Sequence, residues 1–147
     1  MDNKTLAEKL KVVLATAHAF ALKAHNYHWN VTGPHFLEYH EFFGGIYSQV
    51  QADTDNYAEY IRILGVFAPG SLKRFSELSR VSDEQTIPAP NVMFSRLMAD
   101  NTTVIMLLKN LHADATEAQN FALTSFIEMR LEYHEKLGWM LNSLLVA

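Results

Sequence analysis

"HNYHWNVTGPHFLEYH" (residues 25–40) places four of the chain's seven histidines around a Gly-Pro pair. Upstream, Leu6, Leu10, Val13, Leu14 and Ala17 recur at three- and four-residue steps, and no proline interrupts them before Pro34. This is the period of one helix face. Downstream, Phe36, Tyr39, Phe43, Ile46, Val50, Tyr57, Ile61 and Leu64 repeat it. Gly33 and Pro34 therefore separate two long helices, predicted over about residues 5–31 and 36–64, with Gly as a stop and Pro in the first turn of the next helix.

The rest of the chain keeps the helical period. "GVFAPGS" (65–71) breaks it, and the span from Gly65 to Pro90 is too long for a bare loop, so a short helix is expected near "SLKRFSELSR" (71–80). A third long helix is predicted over about residues 91–112 and a fourth from near Thr116 through "FALTSFIEMRLEYHEKLGWMLNSLLV". Four long helices with a crossover helix between the second and third read as an all-α four-helix bundle, a single domain over residues 1–147. "EYHE" occurs at 38–41 and 132–135, a match too short to read as a repeat.

Composition narrows the chemistry. With 12 basic and 16 acidic residues the formal charge is −4, which does not favour a polyanionic partner. There is no cysteine, which removes disulfides, thiolate metal sites and thiol catalysis and fits a cytoplasmic location. "MDNKTLAEKLKVVLATAHAF" lacks the basic-then-apolar layout of a secretory signal, and no stretch stays apolar long enough to span a bilayer. Neither a Gly-rich phosphate loop nor a Gly-x-Ser-x-Gly turn is present.

What remains is histidine and carboxylate. His25 and His28 lie one helical turn apart, and His28 and His40 flank Gly33 at similar distances, so a helical hairpin would set them face to face. The alternative reading is a set of satisfied core or surface histidines. Asp55 and Glu59 form an i, i+4 carboxylate pair, a spacing that more often marks a solvated face. At ~1.5 Å per residue, Asp55 lies about 22 Å along the helix from His40. The two halves therefore cannot share one ion within a chain, and would meet only across an antiparallel two-fold contact between chains. No Glu is followed by His three residues later, which counts against a di-iron site inside one bundle.

"HWNVTGPHF…H", followed by "D…AE" in "DTDNYAEYI" and by "HEKLGWML" in the last helix, resembles the Dps family of small ferritin-like proteins. The resemblance implies a hollow homododecamer that stores iron mineral. On that resemblance ferrous iron would be oxidised at two-fold interfaces with hydrogen peroxide or oxygen, which would make the chain a ferroxidase. One subunit would supply His28 and His40 and its partner Asp55 and Glu59, with His25 a further metal ligand, Trp29 beside the site and Glu41 facing the cavity. Imidazole and carboxylate suit Fe(II), and zinc would compete for the same ligands.

Three positions depart from the family pattern. Gly44 stands where relatives have an acid four residues after the second histidine, so His25, water, Glu41 or Gln49 would have to help hold a second ion. On this reading Gly44→Asp restores the missing carboxylate. Lysine-rich tails are not evident, only "MDNK" before the first helix and "NSLLVA" at the end, so DNA binding is expected to be weak. Where relatives line their three-fold pores with acids, this chain has Phe121 and Ser125, with Glu117 and Glu128 the nearest acids. The alternatives are a DNA-binding nucleoid-type shell with little ferroxidase activity, and a plain helical assembly in which histidines only pack.

Overall fold

A computed structural model describes residues 2–146. Five helices follow in order, α1 (Asn3–Asn30), α2 (Phe36–Ile63), α3 (Leu72–Leu78), α4 (Pro90–Glu117) and α5 (Phe121–Leu145), and no strand occurs among the described residues. α1 packs on α2 and α4, α4 packs on α5, and the short α3 lies against α1. This is the expected bundle with its crossover helix.

Local chemistry sets the boundaries. The Asp2 carboxylate accepts a hydrogen bond from the Thr5 amide at 2.8 Å and starts α1 before residue 5. Gly33, at φ +123°, turns the chain between α1 and α2, and Pro34 precedes the α2 cap instead of entering its first turn. α4 runs past His112 to Glu117, so the last helix does not begin at Thr116. "HADATE" contains no helix breaker, and the Thr116 hydroxyl is satisfied inside the helix by the His112 carbonyl at 2.8 Å. The break falls instead at Gln119, in the left-handed region at φ 57°, and Asn120 caps α5 by accepting from the Leu123 amide at 3.1 Å.

The core is aromatic at the α1–α2 end. Tyr27 meets Phe43 edge-on at 5.6 Å between centroids, and Phe43 lies 5.4 Å from Phe94 of α4. The Tyr27 hydroxyl donates to Glu84 at 2.6 Å, and Arg96 and Thr86 donate to the same carboxylate at 2.5 and 2.9 Å. Burial alone would raise the Glu84 pKa, but these donors outweigh it and hold it down to about 2. The segment after α3 is thereby stapled to α1 and α4.

Further along the bundle the core is polar. Asn101 donates through Nδ2 to the His134 carbonyl at 2.8 Å, which turns its Oδ1 toward His134 Nδ1, also at 2.8 Å. His134 Nδ1 therefore carries the proton, and its Nε2 is an acceptor buried without a partner. Burial, and secondarily the Arg130 charge, push His134 down to about 3. Arg130 is itself paired with the buried Asp53.

This neutral histidine predicts acid sensitivity. An unfolded histidine titrates near its ordinary 6.5, so below that pH unfolding takes up a proton that the fold refuses. Stability should fall as pH drops from about 6.5 to about 4.5, by up to about 1.4 kcal/mol per unit from this one group. Toward lower pH the burial-raised carboxyls of Asp53 and Asp100 act in the opposite sense, and the lowered Glu84 in the same sense. His134→Asn keeps a donor for Asn101 and removes the titration. Urea unfolding across this range should show a flatter pH dependence in the variant, and equal slopes would place the proton uptake elsewhere.

Candidate metal centre

The end of α1 and the start of α2 bring His28 and His40 together. Their rings stack at 3.8 Å between centroids, 15° from parallel. His28 Nδ1 lies 2.6 Å from the main-chain oxygen of His40, and His40 Nδ1 lies 2.6 Å from that of His28. A carbonyl only accepts, so both Nδ1 atoms donate, which in neutral rings leaves both Nε2 atoms with a lone pair. A metal-ligating histidine characteristically has one nitrogen anchored through its proton and the other left open. Both residues are half-buried and pair across the hairpin as expected, and neither ring is used up by the core.

His25 joins this end through an aromatic stack. Its ring lies 3.6 Å from Tyr47, 3.8 Å from Trp29 and 5.9 Å from His28. Burial first and the neighbouring His28 second lower its pKa. Trp29 is 59% exposed beside it. Tyr47 was not anticipated, although it stands two helical turns after His40 on the same face, and that period was its signal.

Asp55 and Glu59 are exposed on α2. A hydrogen bond with Asp55, and then the Asp55 charge, raise the Glu59 pKa. Because α2 is continuous from Phe36 to Ile63, the separation of about 22 Å between His40 and Asp55 stands. Among the described residues no three histidine or carboxylate side chains gather where one chain could hold an ion. The structure pairs His28 with His40, with His25 5.9 Å from His28, and sets Asp55 with Glu59 elsewhere; it does not join the two pairs.

Gly44 corrects one expectation. A Cβ built there would lie 2.7 Å from His28 Nδ1 and 2.9 Å from His28 Cε1. Gly44→Asp therefore cannot simply add a ligand, because its side chain would first collide with one already in place. Elsewhere, Glu41 is exposed, Phe121 is 78% exposed and Glu128 meets His112 at 2.7 Å. Of the N-terminal lysines, Lys9 is paired with Asp114 and Lys11 with Glu8.

Residues 7–147 match the family model described as ferritin-like domain. The chain is similar to DNA protection during starvation protein 2 of Bacillus anthracis, with 27% identity over 148 residues covering 97% of this chain and 98% of that protein. The chain belongs to the Dps family. Solved Dps structures carry the same fold: the Staphylococcus aureus protein superposes with TM-score 0.95 at 25% identity, covering 99% of this chain and 98% of its own. Antigen TpF1 of Treponema pallidum superposes at 0.96 with 26% identity, covering 99% and 94%. A low temperature-induced protein of Nostoc sp. is 30% identical over 133 residues, 88% of this chain and 74% of its own. Iron storage and protection is the general role of the Dps and ferritin-like group. Among the described residues no helix is long and apolar enough to cross a membrane.

The carboxylate pair makes a direct prediction. In the metal-free chain Asp55→Asn should bring the raised Glu59 pKa back toward its ordinary range, read from the ¹³C shift of the Glu59 carboxyl during a pH titration. An unchanged midpoint would mean that Asp55 is not its cause.

Proposed function

We propose that twelve copies of this chain form a hollow cytoplasmic shell that takes up Fe(II), oxidises it at sites shared across two-fold interfaces, and stores the ferric product as mineral. The observation that carries this reading is a pair of incomplete ligand sets held apart by the unbroken course of α2. His28 and His40 are oriented at one end, and Asp55 and Glu59 stand exposed about 22 Å away. An antiparallel two-fold contact of α2 helices would complete both ends at once.

Iron is the substrate. Two Fe(II) ions each give up one electron, and one hydrogen peroxide takes both electrons with two protons to become two waters. Oxygen can take the same two electrons and two protons to become hydrogen peroxide. His28 and His40 would hold the ion through Nε2, His25 would stand by as a further donor, and the two carboxylates would balance the positive charge. The chain offers only two carboxylate charges per site, enough for one divalent ion, and a second ion nearby would add uncompensated charge. One position should therefore bind more tightly than the other. Zinc suits the same donors and should slow iron oxidation by competition.

A DNA-binding shell is the weaker reading. The chain is net acidic, and two of its three N-terminal lysines are already paired. Duplex DNA at physiological salt should show little gel shift, and tight binding there would overturn this assignment.

The shared site has a signature of its own. His28→Ala and Asp55→Ala should each abolish most rapid iron oxidation, followed by the growth of ferric absorbance. In shells assembled from an equal mixture of the two, each mixed interface keeps one intact site and loses the other. Half of the interfaces are mixed, so roughly a quarter of the sites should recover. No recovery in verified mixed shells, or a chain that stays monomeric in sedimentation, would remove the basis for the proposal.

A further inference from the structure

The same pair of histidines depends on a residue that has no side chain. Gly44 faces the His28 ring, and a Cβ there would stand 2.7 Å from Nδ1, the atom that donates to the His40 carbonyl at 2.6 Å. The neighbouring Gly45 has nothing within 4 Å of the corresponding position. The stacking of His40 on the His28 ring at 3.8 Å, with Phe36 5.0 Å from His40, leaves the ring little room to give way. A side chain at position 44 would therefore have to move His28 off the His40 carbonyl.

We infer that Gly44 is a positioning residue of the metal centre. The space it leaves lets His28 lie flat on His40, with each Nδ1 proton held by the other residue's main chain. The inference rests on the proposed metal site for its consequence, but the lock itself exists in the metal-free chain. Without the anchor the His28 proton is free to sit on Nε2, the atom that must bind. The completed donor set is two imidazole nitrogens from one subunit and two carboxylates from the other. Such a set favours borderline divalent ions, Fe(II), Co(II) or Zn(II), over Mg(II).

The test uses the full chain, assembled, with Gly44→Ala as the variant and Gly45→Ala as its control. Alanine favours a helix more than glycine does, so both substitutions are neutral or better for α2 itself. Long-range ¹H–¹⁵N spectra of the metal-free protein report which ring nitrogen carries the proton. Wild type and Gly45→Ala should show His28 and His40 protonated at Nδ1, and Gly44→Ala should lose that signature at His28. Co(II) absorbance titrations should show binding weakened at least about tenfold in Gly44→Ala and unchanged in Gly45→Ala. Whether Gly44→Ala is destabilised or fails to fold, adding it to a His28→Ala background, where the ring is gone, should carry no thermal cost. Wild type that binds Co(II) with unanchored imidazoles overturns the inference alone, as does Gly44→Ala with unchanged tautomer and affinity, or an equal thermal cost in both backgrounds. Assembled wild type that binds no Co(II) overturns the metal-site reading itself, and the inference with it.

Discussion

The reciprocal hydrogen bonds between His28 and His40 are the constraint around which the functional end of this molecule is arranged. Each ring anchors to the other's backbone, so the two bonds tie α1 to α2 just beyond their turn and orient both imidazoles in one act. The arrangement needs a hairpin of a particular length, with Gly33 turning the chain, and it needs an empty position at Gly44. It also supports the role proposed for these residues. A histidine whose proton is committed to a carbonyl, and whose other nitrogen is open at a half-buried surface, is prepared to receive something.

The fold was legible because the helices are long and their apolar period is unbroken. The pairing of His28 with His40 followed from counting residues on either side of Gly33, and the separation from Asp55 followed from the rise of a helix. Less was legible where the outcome depends on side chains meeting across helices. Position 44 reads in one dimension as a missing acid. Only the packed hairpin shows that the volume of that acid is taken by the His28 ring. Likewise the turn expected between His112 and Thr116 falls later, because the break depends on a left-handed residue, Gln119, followed by an Asn cap.

The buried cluster of Asn101, His134, Arg130 and Asp53 had no sequence signal beyond polar residues at core positions. "EYHE" occurs twice, yet His40 sits half-buried at the surface of the hairpin and His134 is sealed inside the bundle. Identical tetrapeptides thus hold one histidine oriented with an open nitrogen and another kept neutral by burial. The difference lies in what the neighbouring helix presents to each: the His28 carbonyl in one case, the Asn101 amide in the other.

The unbroken course of α2 has a consequence for how such a protein behaves as it is made. On the proposed reading, a newly synthesised chain carries two half-sites that its own rigidity keeps apart, so it is chemically silent alone. Reactivity appears only when a second chain docks, the same event that begins to build the container. Oxidation at the site is thereby tied to the first step of assembly, and a lone chain does not catalyse it.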